Sequence, residues 1–231
     1  AFNCRPDQIS TQRRTRANVT PLLIQRLNDG RLWWNFQGHA NQVVLTHEDL
    51  YVNRNFEDDK DQLTNDGKPF LFSAFSCHPN AFGEEDERNQ IKGPAIGEDL
   101  VNLPRGGAIA SWASTAFEIL PGSAPDHLNV WLAKALFSEP PRDDVLSGRG
   151  AKVVLGESIA QALVKNLGSA FFGLDREVGI TYTLLGDPAT PISIGPAEAL
   201  VTANGATVED GKAIRLHTRG DALRLEADLV S

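Results

Sequence analysis

Residues 69–77 read PFLFSAFSC. The run opens on a proline, stays apolar without a polar face, and stops at Cys77. It is too short for an interior helix, and a run in which only Ser73 and Ser76 interrupt the apolar residues, without alternation, is the pattern of a strand covered on both sides. Working outward, residues 31–39 read RLWWNFQGH, a second short apolar run that ends at Gly38-His39. A third fits Gly107–Trp112 and a fourth Tyr182–Leu185, the last broken by Gly186-Asp187-Pro188. Helical segments fall between them. Asn18 or Thr20 reads as a cap, with Pro21 in the first turn and Leu22, Leu23, Ile24 and Leu27 following before Asn28-Asp29-Gly30. Short helices fit His47–Leu50 and Ile96–Asn102, and longer ones fit Asp126–Phe137 and Glu157–Leu167. Strands alternating with helices predict an α/β fold: a mostly parallel sheet flanked by helices on both faces.

After Pro196 the texture changes. Alternating stretches at Ala199–Thr202, Ala213–His217 and Ala222–Glu226 are separated by Asn204-Gly205 and Asp210-Gly211, which are hairpin signals. The predicted organisation is therefore an α/β domain over 1–196 and a β-rich appendage, or the start of an Ig-like module, over 197–231. Residues 1–16 read as a polar, basic terminus and 53–68 as a solvated acidic loop.

Composition narrows the function classes. The chain has 231 residues, of which 41% are hydrophobic and 23% charged, and its formal net charge is −8. These proportions belong to a globular protein. The negative balance lacks the basic footprint of phosphate-backbone binding, so nucleic acid is not an expected partner. No apolar run approaches the roughly 20 residues of a membrane helix. The two cysteines, Cys4 and Cys77, are too few for a disulfide framework.

In open α/β sheets the chemistry gathers at the carboxyl ends of strands. Here two strand ends carry reactive side chains, His39 and Cys77. If their strands are parallel neighbours, a thiol and an imidazole emerge on the same sheet edge, as nucleophile and base. Backbone N–H groups in the turns after the strands would supply an oxyanion hole. The competing reading of Cys77 is a small buried hydrophobe. His39 with His47 offers a metal-hydrolase alternative, although their spacing is not that of a helical zinc motif. His47 and His78 read better as loop histidines, and His127 and His217 as residues of a helix surface and of the β tail.

Six segments in order resemble peptidase family C25, the gingipain-type cysteine endopeptidases of the caspase-like group. They are Leu27-Asn28-Asp29-Gly30; Trp34-Asn35-Phe36-Gln37-Gly38-His39; Phe75-Ser76-Cys77 with Phe82; Ile96-Gly97-Glu98-Asp99-Leu100 followed by Pro104-Arg105-Gly106-Gly107-Ala108-Ile109-Ala110; Leu155-Gly156-Glu157-Ser158; and Leu184-Leu185-Gly186-Asp187-Pro188. The resemblance implies that His39 is the catalytic histidine and Cys77 the nucleophile, with backbone oxyanion donors at Gly38, Ala40 and Cys77. It implies a caspase-like fold, peptide-bond hydrolysis through a thioester, and a secreted or cell-surface protein made by proteolytic processing of a zymogen. The family pattern has Gly-His-Gly where this chain has Gly38-His39-Ala40. It also has strands ahead of the histidine-bearing one. We expect these to come from another polypeptide, the N-terminal part of the same precursor. A non-catalytic relative acting as an assembly or binding module is the alternative from a different class.

Phe75, Trp112 and Phe117 are candidate walls of the substrate pocket, with core packing the competing role for Trp112. Glu118 is a candidate partner for a basic side chain. No cofactor is required for the chemistry. The Asp58–Gly67 spacing loosely resembles a calcium loop, and a structural calcium ion is conceivable there, but it lacks the order of an EF-hand and reads as a solvated loop. The run Glu84–Glu87 reads as a solvated charge cluster, Cys4 as a bystander, and Leu184–Asp187 as structural.

Overall fold

The computed structural model describes residues 13–54, 57–82, 93–118, 127–137, 152–168, 174–193, 198–203, 206–208 and 225–230. In chain order the strands are β1 (Trp33–Gln37), β2 (Val44–Leu45), β3 (Tyr51–Arg54), β4 (Glu57–Asp58), β5 (Phe70–Phe75), β6 (Ala108–Ser114), β7 (Lys152–Val154), β8 (Tyr182–Leu185), β9 (Pro191–Ser193), β10 (Glu198–Ala203), β11 (Ala206–Val208) and β12 (Leu225–Val230). The α-helices are α1 (Thr20–Asn28), α2 (Ile96–Asn102), α3 (Leu128–Phe137), α4 (Leu155–Gly168) and α5 (Leu174–Thr181).

The main sheet has the order β1-β5-β6-β8. Strands β1, β5 and β6 run parallel, and β8 closes the far side antiparallel to β6. Every residue of β5 is buried, which is why its sequence shows no alternation: both faces are covered. On one face Phe70 and Phe72 join Trp34, Phe36, Ile24 and Leu27, together with Ile96 and Leu100 of α2. On the other, Leu71 and Phe75 join Leu128, Leu132 and Leu136 of α3, and Leu155, Ile159 and Ala162 of α4. β1 divides its side chains between the two. Trp34 meets Tyr51, Phe70 and Phe72 at ring distances of 5.1, 5.8 and 4.8 Å, whereas Trp33 turns to the opposite face against Phe137 at 5.5 Å. Each fully buried large apolar side chain contributes roughly 1.5–3 kcal/mol.

Three expectations need correction. The segment at His47–Leu50 is a turn between the short antiparallel strands β2 and β3, not a helix. Thr46 and Asp49 there adopt positive φ, 65° and 54°, which helical geometry excludes. The first helical region already includes Arg13 and passes through a π turn at Thr15–Val19 before α1. Finally, residues 57–68 are not a solvated loop. Asp59 is 1% exposed and accepts hydrogen bonds from the Arg16 guanidinium, from Val52 N–H at 2.8 Å and from Gln62 Nε2 at 3.1 Å. A carboxylate can be buried only when paired and hydrogen-bonded in this way. Asn65, also buried, donates to the Gly107 carbonyl at 2.9 Å and accepts its N–H at 2.8 Å, tying this segment to the start of β6.

Beside it, Lys60 lies 3.2 Å from both Asp58 and Asp99, and Asn53 donates to Asp99 at 2.7 Å. Burial raises the Asp99 carboxyl above its ordinary range, and the nearby Lys60 only partly opposes this. Burial pulls Lys60 down, but Asp99 and Asp58 more than offset it and hold the ammonium up. With an acid raised in the folded state, the native protein binds more protons than the unfolded chain, so Asp99's contribution falls as pH rises through its raised pKa. Relative to the parent, Asp99→Asn is therefore expected to be most stable at neutral pH and to lose ground as pH falls toward 4. Melting curves of both proteins at pH 7 and pH 4 check this.

Toward the C-terminus β7 pairs antiparallel with β9, and β10 pairs antiparallel with both β11 and β12, Ala203 lying opposite Ala206. Readings that fell on Cys4, Glu84–Glu87, Asn204-Gly205, Asp210-Gly211 and His217 lie outside the described residues.

Candidate active site

The parallel pairing of β1 with β5 decides the geometry of the site. Gln37 is opposite Phe75 at the end of the ladder. His39 and Cys77 each stand two residues beyond that pair, at the carboxyl ends of adjacent strands. The Gly38 N–H continues the ladder by donating to the Phe75 carbonyl at 3.3 Å. That engagement corrects the expectation for Gly38: its N–H faces the sheet and is not free to receive an oxyanion. The N–H groups of Ala40 and Cys77 make no hydrogen bond among the described residues.

The loop after His39 is a tight return. Thr46 N–H donates to the His39 carbonyl at 2.8 Å, and Asn41 N–H to the Val44 carbonyl at 3.0 Å, so Ala40 bridges to Leu45. The Asn41 side chain also accepts N–H groups from Val43 and Val44. Ala40 is absent from the residues of positive φ. An alanine is therefore accommodated here without backbone strain. The His39 ring stands edge-on to His47 at 5.5 Å. Among the described residues, no group of three or more histidine, cysteine or acidic side chains is arranged to hold a metal ion.

The loop after Cys77 is anchored more firmly. Asn80 is fully buried. Its amide donates to the Ser111 carbonyl of β6 at 3.3 Å and the Thr183 carbonyl of β8 at 2.9 Å, and it accepts Ser111 Oγ–H at 2.6 Å. Asn80 N–H adds a bond to the Ser114 carbonyl at 3.0 Å, and His78 N–H one to the Ala116 carbonyl at 3.1 Å. His78 itself has φ 65°. A non-glycine residue held there, immediately after a candidate nucleophile, is strain of the order of 1–3 kcal/mol that the surrounding bonds maintain.

Cys77 is half-buried. Its sulfur accepts Glu118 N–H at 3.3 Å and lies 3.7 Å from the Glu118 carbonyl.

Of the three candidate pocket residues, Phe75 and Trp112 are 0% and 1% exposed and pack edge-on against each other at 5.8 Å. They are core side chains, because β5 and β6 have both faces covered, and this corrects their assignment to a pocket wall. Phe117 is 81% exposed, with its ring on His78 at 4.5 Å. Glu118 does not face outward toward a basic partner. Its side chain is wholly buried, with Oε1 3.6 Å from Nε2 of His127. His127 was expected on a helix surface and is likewise buried. Its position just before α3 explains this: Nδ1 accepts Asn129 N–H at 3.2 Å, which caps the helix and turns the ring inward.

The family motifs turn out to touch one another. Gly156 N–H donates to the Pro188 carbonyl at 2.8 Å, joining Leu155–Ser158 to Leu184–Pro188. Gly186 has φ 135°, and a Cβ there would press on Ala110. These segments are scaffold.

The model of Peptidase family C25 matches residues 5–193. No curated protein matches the chain. Among solved structures, the fold is similar to the Arg specific cysteine proteinase gingipain R (RgpB), with 18% identity, a TM-score of 0.55, and 80% of this chain and 39% of that one covered. It is also similar to the complex of Porphyromonas gingivalis RgpB pro- and mature domains, with 16% identity, a TM-score of 0.58, and coverage of 80% and 40%. The chain thus spans about two fifths of the length of these structures, and its α/β architecture is caspase-like. With the family match extending over most of the chain, from ahead of the first helix to β9, the protein is a member of peptidase family C25.

Proposed function

We propose that this protein is a cysteine endopeptidase in which Cys77 is the nucleophile and His39 the acid–base partner. The observation that supports this most is the β1–β5 register, which brings both residues to adjacent strand ends. The Cys77 thiol proton passes to the His39 imidazole. The sulfur attacks the peptide carbonyl, forming the C–S bond. The resulting oxyanion is met by the N–H groups of Cys77 and Ala40, which make no other hydrogen bond among the described residues. On collapse the C–N bond breaks and His39 protonates the departing amine. Water, deprotonated by His39, then attacks the thioester, releasing a carboxylic acid and restoring the thiol. The exposed ring of Phe117, beyond the sulfur and beside His78, offers an apolar surface to the substrate.

The same reading extends to a partner. Among the described residues β1 has a neighbour only at β5, so its other edge is open. An open edge accepts a further strand, which suits the N-terminal part of the same precursor, in a secreted or cell-surface protein. Among the described residues no helix is long and apolar enough to cross a membrane.

The test is hydrolysis of a mixed peptide library under reducing conditions, with the N-terminal fragment present. His39→Ala is expected to lower kcat about 10²- to 10⁴-fold, and the parent is expected to show a bell-shaped pH profile. Parent and variant cleaving alike would exclude the dyad. A parent that binds peptides without cleaving them would identify an assembly or binding module instead.

A further inference from the structure

The β1–β5 ladder ends at the Gly38–Phe75 hydrogen bond, and His39 and Cys77 lie beyond it. Each belongs to a loop held from a different side. Thr46 N–H closes the first loop onto the His39 carbonyl, beside β2 and β3. Asn80 hangs the second loop from β6 and β8. None of these bonds sets one loop against the other. The Gln42 side chain does: it leaves the first loop and donates from Nε2 to the Ala81 carbonyl of the second at 2.9 Å. Gln42 and Ala81 are both buried. A glutamine amide is retained in such a place when it is hydrogen-bonded, and its removal would leave the carbonyl without this donor, away from water. The main chain of Gln42 is seated as well. Ile96 N–H donates to the Gln42 carbonyl at 2.8 Å, and the following N–H, of Gly97, donates to the Pro79 carbonyl at 2.9 Å. Successive N–H groups in the first turn of α2 thus go one to each loop.

We propose that Gln42 is a positioning residue for the His39–Cys77 pair: its buried amide ties the loop after β1 to the loop after β5 and sets how closely the two side chains approach. Gln42 stands three residues beyond His39, and Ala81 four beyond Cys77. The tie therefore acts through the backbones of both loops rather than on the reacting atoms. Proton transfer from thiol to imidazole, and from imidazole to the leaving amine, both need a fixed separation, and a misplacement of about 1 Å can cost on the order of 10²-fold in rate. This inference rests on the reading of His39 and Cys77 as the catalytic pair, but the approach of the loops is measured without peptide cleavage.

The experiment measures that approach as a disulfide equilibrium. In a Cys4→Ser background, His39→Cys puts a second thiol on the first loop, and its disulfide with Cys77 is equilibrated against a glutathione couple with and without Gln42→Met. Methionine keeps the length of the side chain but cannot donate. It is expected to lower the effective concentration of the two thiols about tenfold. Asn65→Ala removes buried hydrogen bonds at the opposite end of the sheet, ahead of β5 and β6, and is expected to leave closure unchanged. With His39 and Cys77 intact, Gln42→Met is expected to lower kcat on a cleaved peptide about ten- to a hundredfold, with KM changed less than about threefold. Unchanged closure in Gln42→Met, an equal loss in Asn65→Ala, or a disulfide that fails to form even with Gln42 present would each overturn the proposal. Should Gln42→Met fail to fold, Gln42→Asn takes its place. Its amide falls one methylene short of Ala81, so weaker closure is expected and unchanged closure refutes the tie. Closure that depends on Gln42 in a protein that cleaves no peptide would keep the tie and remove the peptidase reading, and cleavage with closure independent of Gln42 would do the reverse.

Discussion

Cys77→Ala is expected to lower peptide hydrolysis at least about a thousandfold, with thermal stability reduced by no more than about 1.5 kcal/mol. The two magnitudes differ because the sulfur has two unequal roles. Structurally it closes one weak hydrogen bond from Glu118 N–H, at 3.3 Å, and sits at a half-buried position. Chemically it forms the covalent bond on which the proposed pathway depends, and what survives its removal is only the contribution of binding and the oxyanion donors. Cys77→Ser sharpens the comparison. Serine keeps an acceptor for Glu118 N–H but is hardly ionised at neutral pH. It is expected to match the parent in stability while remaining close to alanine in activity. Measuring kcat/KM and the unfolding midpoint on the same three proteins separates the roles. Retention of more than a tenth of parental activity in Cys77→Ala would remove Cys77 from the chemistry.

The strands that set up this site were legible because their apolar runs are local signals. PFLFSAFS shows no alternation, which is what a strand covered on both faces requires, and β5 is buried along its whole length. With β1 and β5 parallel neighbours, His39 and Cys77 stand at the carboxyl ends of adjacent strands. The same logic explains the errors. Phe75, two residues before Cys77, has the sequence position of a pocket wall, yet a residue within a doubly covered strand has no solvent face to offer. Asp59 lay in a run of charges that looks solvated. Its burial depends on Arg16, 43 positions upstream, and no local pattern announces such a partner. Glu118 and His127 fail for the same reason: their burial comes from a helix start packing over a loop. The β2–β3 turn carries positive φ at Thr46 and Asp49, and the threonine gives little warning of it.

Gly97→Ala is expected to destabilise the fold by about 3 kcal/mol or more and to depress activity beyond what lost stability explains. Gly97 lies in the first turn of α2, where alanine would ordinarily be the better helix former. The structure reverses that preference. A Cβ at this position would overlap Asn80 Oδ1 and Ser111 Oγ, the two atoms joined by the 2.6 Å hydrogen bond that fixes the Cys77 loop to β6. Room can be made only by driving the Asn80 amide from its place, which also breaks its bonds to the Ser111 and Thr183 carbonyls and leaves buried polar atoms unpaired. Backbone relief is blocked as well, since Gly97 N–H donates to the Pro79 carbonyl at 2.9 Å. Asn80→Ala alone is expected to cost a similar amount, through those unpaired partners. In Asn80→Ala/Gly97→Ala the amide that Cβ would strike is gone, so the double variant is expected to fall at least about 1 kcal/mol short of the summed single effects. Denaturant melts of the four proteins measure this coupling directly. Additive losses would mean that Gly97 and Asn80 act independently, and that the small residue at the start of α2 is not what lets the Cys77 loop lock onto the sheet.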